Sequence, residues 1–189
     1  NNFSEIHRQD INISIWKRCL TDSLKKSTEY VVNQNPNLEF SEVIKSADVK
    51  DSLKSVIGPN TEMLPFFEDV SYLSFIFCKI FDQKKIWLRL DGIDHPMCPR
   101  FHTDNVKCRL VTTYVGPATQ WLPHSLVNRS KLGHGNGGKP DEKSGLFSSK
   151  MDIEQLNTGH VALLKGESWQ GNRGAGLVHR SPHKEGKYR

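Results

Sequence analysis

The spacing of apolar residues changes character near the middle of the chain. Up to about residue 82 apolar side chains recur every three or four positions, which is typical of amphipathic helices. After the polar turn at residues 82–85 they alternate with polar side chains, as in half-buried strands. The pattern therefore predicts a helical part over residues 1–82 and a strand-rich part over residues 83–189.

Three helices are predicted in the first part. The first carries apolar residues at helix spacing after a candidate cap at Ser14, and the set is Trp16, Cys19, Leu20 and Leu24. The second runs from Ser41 to Ile57, where Gly58 and Pro59 end it. The third starts after Thr61 and tolerates Pro65 near its first turn.

The second part predicts several short strands. They fall at residues 86–90, 107–115, 120–122, 146–147, 151–156, 160–165 and 177–179. Residues 131–145 are rich in glycine and are predicted to form a loop, which we expect to be mobile. Helices followed by many short strands indicate an α+β fold, a barrel or sandwich backed by helices, in a single domain over residues 1–189.

Composition narrows the classes of protein. At 189 residues the chain is long enough for a substantial core, and its net charge of +5 is dispersed, so binding to nucleic acid is not expected. Four cysteines are too few for a disulfide scaffold of this length. The absence of a long apolar run or a signal-peptide pattern predicts no membrane contact and a cytoplasmic location.

His102, Asp104 and His179 form the most informative set of polar residues. Two residues at positions i and i+2 of an extended segment point to the same side, so His102 and Asp104 can bind one ion. A second strand would bring His179. Two imidazoles and one carboxylate occupy one face of a metal ion and leave the other positions open, the arrangement of non-haem Fe(II) sites. The alternative is a hydrogen-bonded His102–Asp104 pair with His179 in a turn.

Arg189 follows the second histidine by ten residues. A guanidinium offers a planar fork to a carboxylate, so Arg189 is the candidate anchor for a dicarboxylate cosubstrate such as 2-oxoglutarate. It is also consistent with a surface arginine at a frayed end.

Other residues carry weaker signals. A rival zinc site would use Cys98, His102, Asp104 and Cys108, although this spacing is not that of a zinc finger. Side chains near the predicted strand ends are candidates for lining a substrate pocket, and packing or surface roles are equally open for them: Cys98, Trp121, Lys165, Glu167, Trp169 and Arg180.

Several of these residues lie in motifs that resemble a known family. Four motifs carry the resemblance, and they start with the segments Cys98-Pro99-Arg100-Phe101-His102, Arg109-Leu110-Val111-Thr112-Thr113-Tyr114, Val161-Ala162-Leu163-Leu164-Lys165-Gly166-Glu167 and His179-Arg180-Ser181-Pro182. They resemble the bacterial family called domain of unknown function 1826, which implies almost nothing about activity. A looser similarity to Fe(II)/2-oxoglutarate dioxygenases implies a cupin-like double-stranded β-helix, or jelly roll, on which the N-terminal helices pack.

These observations predict an Fe(II)/2-oxoglutarate-dependent oxygenase acting on an unidentified small molecule or protein. His102, Asp104 and His179 would hold iron, and Arg189 would hold the cosubstrate. Two alternatives stay open: a cupin-like protein that binds zinc or another divalent metal, for instance in metal homeostasis, and an interaction domain without catalysis.

Overall fold

The computed structural model describes residues 3–93 and 97–182, and these form two compact units. Residues 3–18 and 97–182 make up one, which we call the site unit, and residues 19–93 make up the other, the helical unit. The chain is α+β, as predicted. Its elements in order are β1 (Ile13–Trp16), α1 (Asp22–Gln34), β2 (Glu39–Lys45), α2 (Val49–Ile57), α3 (Leu64–Ile80), β3 (Lys85–Asp91), β4 (Cys108–Thr112), β5 (Gln120–Leu122), α4 (Asp141–Ser144), β6 (Glu154–Gln155), β7 (Val161–Lys165) and β8 (Val178–Arg180).

The helical unit contains three helices and an antiparallel pair of strands. β2 pairs with β3 along its whole length, with Val43 opposite Trp87. Leu53 of α2 and Phe67 of α3 are fully buried. The predicted end of α2 at Gly58 is confirmed, since Gly58 has a φ of 112°, a conformation that glycine adopts without strain. The third predicted helix is confirmed as α3, with Pro65 in its first turn.

Two predicted helices need correction. The region Ser41–Ile57 is a strand, β2, followed by the shorter helix α2, because pairing with β3 satisfies the backbone of the first half. The first predicted helix also starts too early. Residues 13–16 form the strand β1, and α1 begins after Thr21, whose hydroxyl accepts a hydrogen bond from the backbone N–H of Leu24.

The site unit contains two three-stranded antiparallel sheets. One has the order β1-β7-β4 and the other β6-β5-β8. A cluster of apolar side chains joins the two sheets: Ala162 and Leu164 from β7 pack with Ala118, Leu156 and Leu177, against Ile13, Ile15, Val111 and Trp121. Since these residues come from both sheets, the sheets face each other across a common apolar layer. The predicted strands at 120–122 and 160–165 are thereby confirmed as β5 and β7.

The outer face of the second sheet is covered by the segment that contains the glycine-rich loop. Leu122 and Val178 pack there with Phe101 and Leu146, against Val127, Leu132, Phe147 and Ile153. Residues 146–147, predicted as a strand, are not in one, and the loop itself contains short helical turns and α4.

The strands of the described residues form small, open sheets and do not close into the expected barrel. Short strands of two to five residues leave room for only a few ladder hydrogen bonds on each side of the apolar layer. Among residues 3–93 and 97–182, each helix is too short or too polar to cross a bilayer.

Candidate metal centre

The two predicted histidine ligands lie side by side on adjacent extended segments. His102 and His179 form an antiparallel bridge in which each backbone N–H donates to the other residue's carbonyl oxygen, both at 3.0 Å. Directly opposed residues of an antiparallel pair point to the same face. The imidazole centroids are consequently 4.6 Å apart.

Asp104 brings its carboxylate to both rings. Its Oδ1 lies 3.7 Å from Nε2 of His102, and its Oδ2 lies 3.5 Å from Nε2 of His179. One ligand atom from each of the three residues can be chosen so that all lie within 4.8 Å of one another. The structure thus brings together the three residues that the sequence singled out.

Hydrogen bonds set the orientation of both rings. Nδ1 of His102 lies 2.9 Å from the carbonyl oxygen of Arg100, and Nδ1 of His179 lies 3.1 Å from that of Leu177. A carbonyl oxygen can only accept, so each Nδ1 carries a proton, and in the neutral form of either ring the lone pair of Nε2 lies on the side of Asp104. Metal-bound histidines in proteins commonly show this arrangement.

Burial keeps His179 in the form that a metal requires. Burial lowers the pKa of His179 to about 4, although the nearby Asp104 carboxylate acts in the opposite direction. The imidazole is therefore neutral near pH 7 and does not have to lose a proton to bind a cation.

The carboxylate of Asp104 lacks a full set of hydrogen bonds. Its Oδ2 is buried and accepts no hydrogen bond, although Nε of Arg109 lies 2.8 Å away. The distance and the missing bond are compatible because an N–H that does not point at the oxygen gives charge attraction without a hydrogen bond. A buried carboxylate oxygen in this state is a suitable ligand for a cation.

The donor atoms are grouped closely but are more widely spaced than the ligands of a bound metal ion. Nitrogen and oxygen ligands lie about 2.0–2.2 Å from a divalent transition metal, so neighbouring ligands at right angles are about 3 Å apart. The observed pairs of 3.5 and 3.7 Å are wider by about half an ångström and involve different oxygens of Asp104. With one ligand atom from each residue, the three atoms lie within 4.8 Å of one another, so the side chains have to move closer together to bind one ion.

A tight turn holds the backbone at Asp104. Glu167 N–H donates to the carbonyl of Asp104 at 2.9 Å, and Gly166 N–H donates to that of Lys107 at 2.9 Å. A Cβ at position 166 would lie 2.1 Å from the carbonyl oxygen of Val106, so only glycine permits this approach.

A buried ion network supports the other side of the site. Asp141 of α4 accepts the backbone N–H of Phe101 at 2.8 Å and the Nε of Arg100 at 2.9 Å. Its Oδ2 also lies 3.5 Å from Nη1 of Arg180, which reaches Glu142 at 2.9 Å. The network ties the residues next to His102 and His179 to the glycine-rich loop.

The other predicted pocket residues are distributed around the site unit. Trp121 lies directly opposite His179 in the β5–β8 pair and shares its face of the sheet. Arg180, one position on, points to the opposite face, is buried, and packs over the Phe101 ring. Cys98 is exposed, and its carbonyl accepts the N–H of Ser181 at 2.9 Å.

The side chains of Lys165, Glu167 and Trp169 contact other parts of the site unit. Lys165 is 2% exposed, its Nζ donates to the carbonyl of Arg8 at 2.7 Å, and it lies 4.6 Å from the Trp169 ring centroid. The Glu167 carboxylate accepts backbone N–H groups of Gly174 and Gly176. These contacts hold loops in place. Arg189 lies outside the described residues.

The rival cysteine set is not assembled. Cys108 pairs with Lys165 across β4 and β7, whereas the next residue, Arg109, points to the opposite face and reaches Asp104. Among the described residues, the group that could hold a metal is His102, Asp104 and His179, without a thiol.

Arg109 and Asp141 were not among the predicted site residues. Arg109 precedes Val111 by two positions and therefore shares its inward face, a signal that alternation in the strand could have supplied. The burial of Asp141 carries no local signal, because its partners are about 40 residues away in the chain.

Fold and site together define an α+β protein with a candidate centre of two histidines and one carboxylate. The chain belongs to the family described as "Protein of unknown function (DUF1826)", whose model matches residues 1–189. Neither a curated protein nor a solved structure matches it.

Proposed function

We propose that the site unit binds Fe(II) at His102, Asp104 and His179 and acts as a 2-oxoglutarate-dependent oxygenase on an unidentified substrate. The observation that carries the proposal is the convergence of the two Nε2 atoms on one carboxylate, with each Nδ1 bonded to a backbone carbonyl oxygen. That donor set, on one face of an ion, is typical of non-haem iron oxygenases.

The composition of the donor set argues against a structural zinc site, whereas two histidines and one carboxylate suit both Fe(II) and catalytic zinc. Structural zinc sites have four protein ligands and often include thiolates, and the described cluster has three ligands with nitrogen and oxygen donors. Three open positions would accommodate a two-point cosubstrate together with oxygen. Bound Fe(II) would supply the oxygen chemistry, which protein side chains cannot perform.

The residues around the centre have separate tasks in this proposal. His179 and Asp104 have side chains only 10% and 15% exposed, so they close the inner side against water. His102 is 34% exposed and marks the open side, where cosubstrate and substrate would enter. Trp121, beside His179 on the same sheet face, supplies an apolar wall.

A second candidate is a site that works without metal. The Arg109 guanidinium beside Asp104 already compensates the carboxylate charge, as it would in a structural ion network. This arrangement favours a non-catalytic interaction domain, and zinc at the same three ligands would favour a metal-binding protein without oxygenase activity.

Metal analysis distinguishes these candidates. Protein purified anaerobically and supplied in turn with Fe(II) and Zn(II) is expected to bind one equivalent of iron. Replacing a ligand with alanine should weaken iron binding by at least tenfold in each of His102→Ala, Asp104→Ala and His179→Ala. A loss of about tenfold is already typical when a residue that only supports a metal ligand is removed. The matched control, His134→Ala, changes an exposed histidine in the glycine-rich loop and should bind as the wild type does.

Turnover then tests the oxygenase assignment. Iron-loaded protein given oxygen and 2-oxoglutarate is expected to release succinate at a slow uncoupled rate, which the three alanine variants should abolish. If the protein binds iron but neither binds nor converts 2-oxoglutarate, the oxygenase assignment is wrong and the protein is a metal-binding protein without that activity. Protein that binds no divalent ion would favour the second candidate, in which Asp104 and Arg109 form a structural ion pair without a metal.

A further inference from the structure

We propose that Arg109 is the anion-binding residue of this centre and that it selects a cosubstrate with two carboxylates. The inference depends on the proposed metal site and gives it a specificity residue. Arg109 lies at the second position of β4, on the face that is directed to the apolar layer, with Nε 2.8 Å from Oδ2 of Asp104.

The guanidinium of Arg109 has unused hydrogen-bonding capacity. Asp104 is the ion-pair partner found for it within residues 3–93 and 97–182, and this contact lacks hydrogen-bond geometry. A guanidinium carries five N–H donors in a planar fork that matches a carboxylate. A cation bound at Oδ2 of Asp104 would take over the neutralisation of that oxygen and release the fork for another anion.

The open side of the centre includes Arg109. Its side chain is 46% exposed, more than that of any of the three ligands, and His102 is the most exposed of those three. Because His102 and Arg109 both approach the carboxylate of Asp104, a molecule bound to the metal beside His102 would lie near the guanidinium.

The charges at the centre favour a dianion. A divalent ion, one carboxylate and one guanidinium sum to two positive charges, since the histidines bind as neutral rings. A molecule with one carboxylate on the metal and a second on Arg109 would neutralise both. Two further arginines close to the ligands are already engaged: the buried Arg180 donates to Gln120 and Glu142, and Arg100 donates to Asp141.

A pair of 2-oxo acids tests this selection. 2-Oxoglutarate and 2-oxopentanoate present the same metal-binding end, and the second has a methyl group in place of the distal carboxylate. Anaerobic calorimetry on the Fe(II)-loaded wild type is expected to show at least tenfold tighter binding of 2-oxoglutarate. Arg109→Gln should abolish that preference and Arg109→Lys should keep part of it, whereas the control Arg173→Gln, at an exposed arginine, should keep all of it.

Iron affinity separates the inference from the proposed function. Arg109→Gln is expected to bind iron as tightly as the wild type or more tightly, because a competitor for Asp104 is removed. A preference for 2-oxoglutarate that survives Arg109→Gln, or that the wild type lacks, would overturn the role of Arg109 while leaving the metal site intact. Iron affinity that falls tenfold or more in both Arg109 variants would show that Arg109 only supports Asp104. Wild-type protein without iron affinity would overturn the proposed function and this inference together.

Discussion

His102 and His179 meet the same carboxylate from different surroundings. His179 is buried, and burial lowers its pKa to about 4, so its imidazole is neutral near pH 7 and can bind a metal ion. His102 lies at the solvent side, and its backbone is paired with that of His179. One histidine thus fixes the inner wall of the centre and the other its entrance, although both have Nδ1 tied to a backbone carbonyl.

Cysteine reactivity provides a test at single residues. Burial raises the pKa of the Cys108 thiol to about 12, whereas Cys19 and Cys98 are exposed. Because the thiolate is the reactive form, Cys108 should be alkylated at pH 8 at least about 100-fold more slowly than those two. Mass spectrometry after timed exposure to iodoacetamide measures this, with Cys98→Ser as the control that removes one fast site. Equal rates at Cys98 and Cys108 would contradict the raised pKa of the half-buried Cys108 thiol.

Gly166 is the residue whose replacement should displace Asp104 without touching a ligand. The Cβ in Gly166→Ala would clash with backbone carbonyls of Val106 and Asp104. The free energy of unfolding should fall by about 1–3 kcal/mol, as for overpacked sites. Iron affinity should fall at least tenfold. Gly138→Ala is the control, since Gly138 also has positive φ but has open space around it; denaturation should show some loss of stability there, with unchanged iron affinity.

At the level of elements, the short helix α4 acts as a brace. Its Asp141 links the backbone of Phe101 with the side chains of Arg100 and Arg180. The segments that carry the two histidines are thereby held to the loop that covers the outer face of the second sheet. The glycine-rich region is accordingly part of the architecture of the site and not only a connection.

Asp141→Asn tests the brace. The substitution keeps the shape of the side chain but leaves the buried Arg180 with less compensation, so the free energy of unfolding should fall by about 3–5 kcal/mol. Urea denaturation measures the change. Asp152→Asn is the control, because Asp152 caps a surface turn and its loss should cost only about 1 kcal/mol. A loss for Asp141→Asn no greater than for the control would mean that α4 does not brace the site.

Some helices and strands could be predicted from the local apolar pattern alone, and others could not. The third predicted helix and the strand β7 were predicted correctly, since each carries a long apolar pattern and is packed as that pattern indicates. The helix proposed over residues 41–57 was wrong in its first half, because Val43 and Ile44 are also good strand residues and β3 decides between the two. Strand β1 was missed for the same reason: its partner β7 is about 150 residues away in the chain.

At the level of the whole molecule, the metal ligands and their supports belong to one unit. His102, Asp104, His179 and Arg109 all lie in the site unit, and so does the turn at Gly166. Stabilisation by a bound ion should therefore be concentrated in that unit.

Hydrogen exchange should show this division. On adding saturating Fe(II) anaerobically, amides of residues 101–108 and 177–181 should exchange at least tenfold more slowly, because a ligand stabilises the states that bind it. Amides of α2 and α3 in the helical unit should be unchanged. Asp104→Ala with the same iron is the control and should show no protection; uniform protection across both units would contradict a local site.

The sequence by itself determined the donor chemistry: a His-x-Asp pair in an extended segment places two donors on one side, and this follows from backbone geometry alone. It also determined the α+β class and the helices and strands with the strongest periodicity. Only the tertiary structure decided that His179 lies opposite His102, that Arg109 reaches Asp104, and that the sheets stay open. Those outcomes depend on pairing between strands that are far apart in the sequence. A short stretch of sequence contains only one of the two partners, so it cannot determine which strands pair.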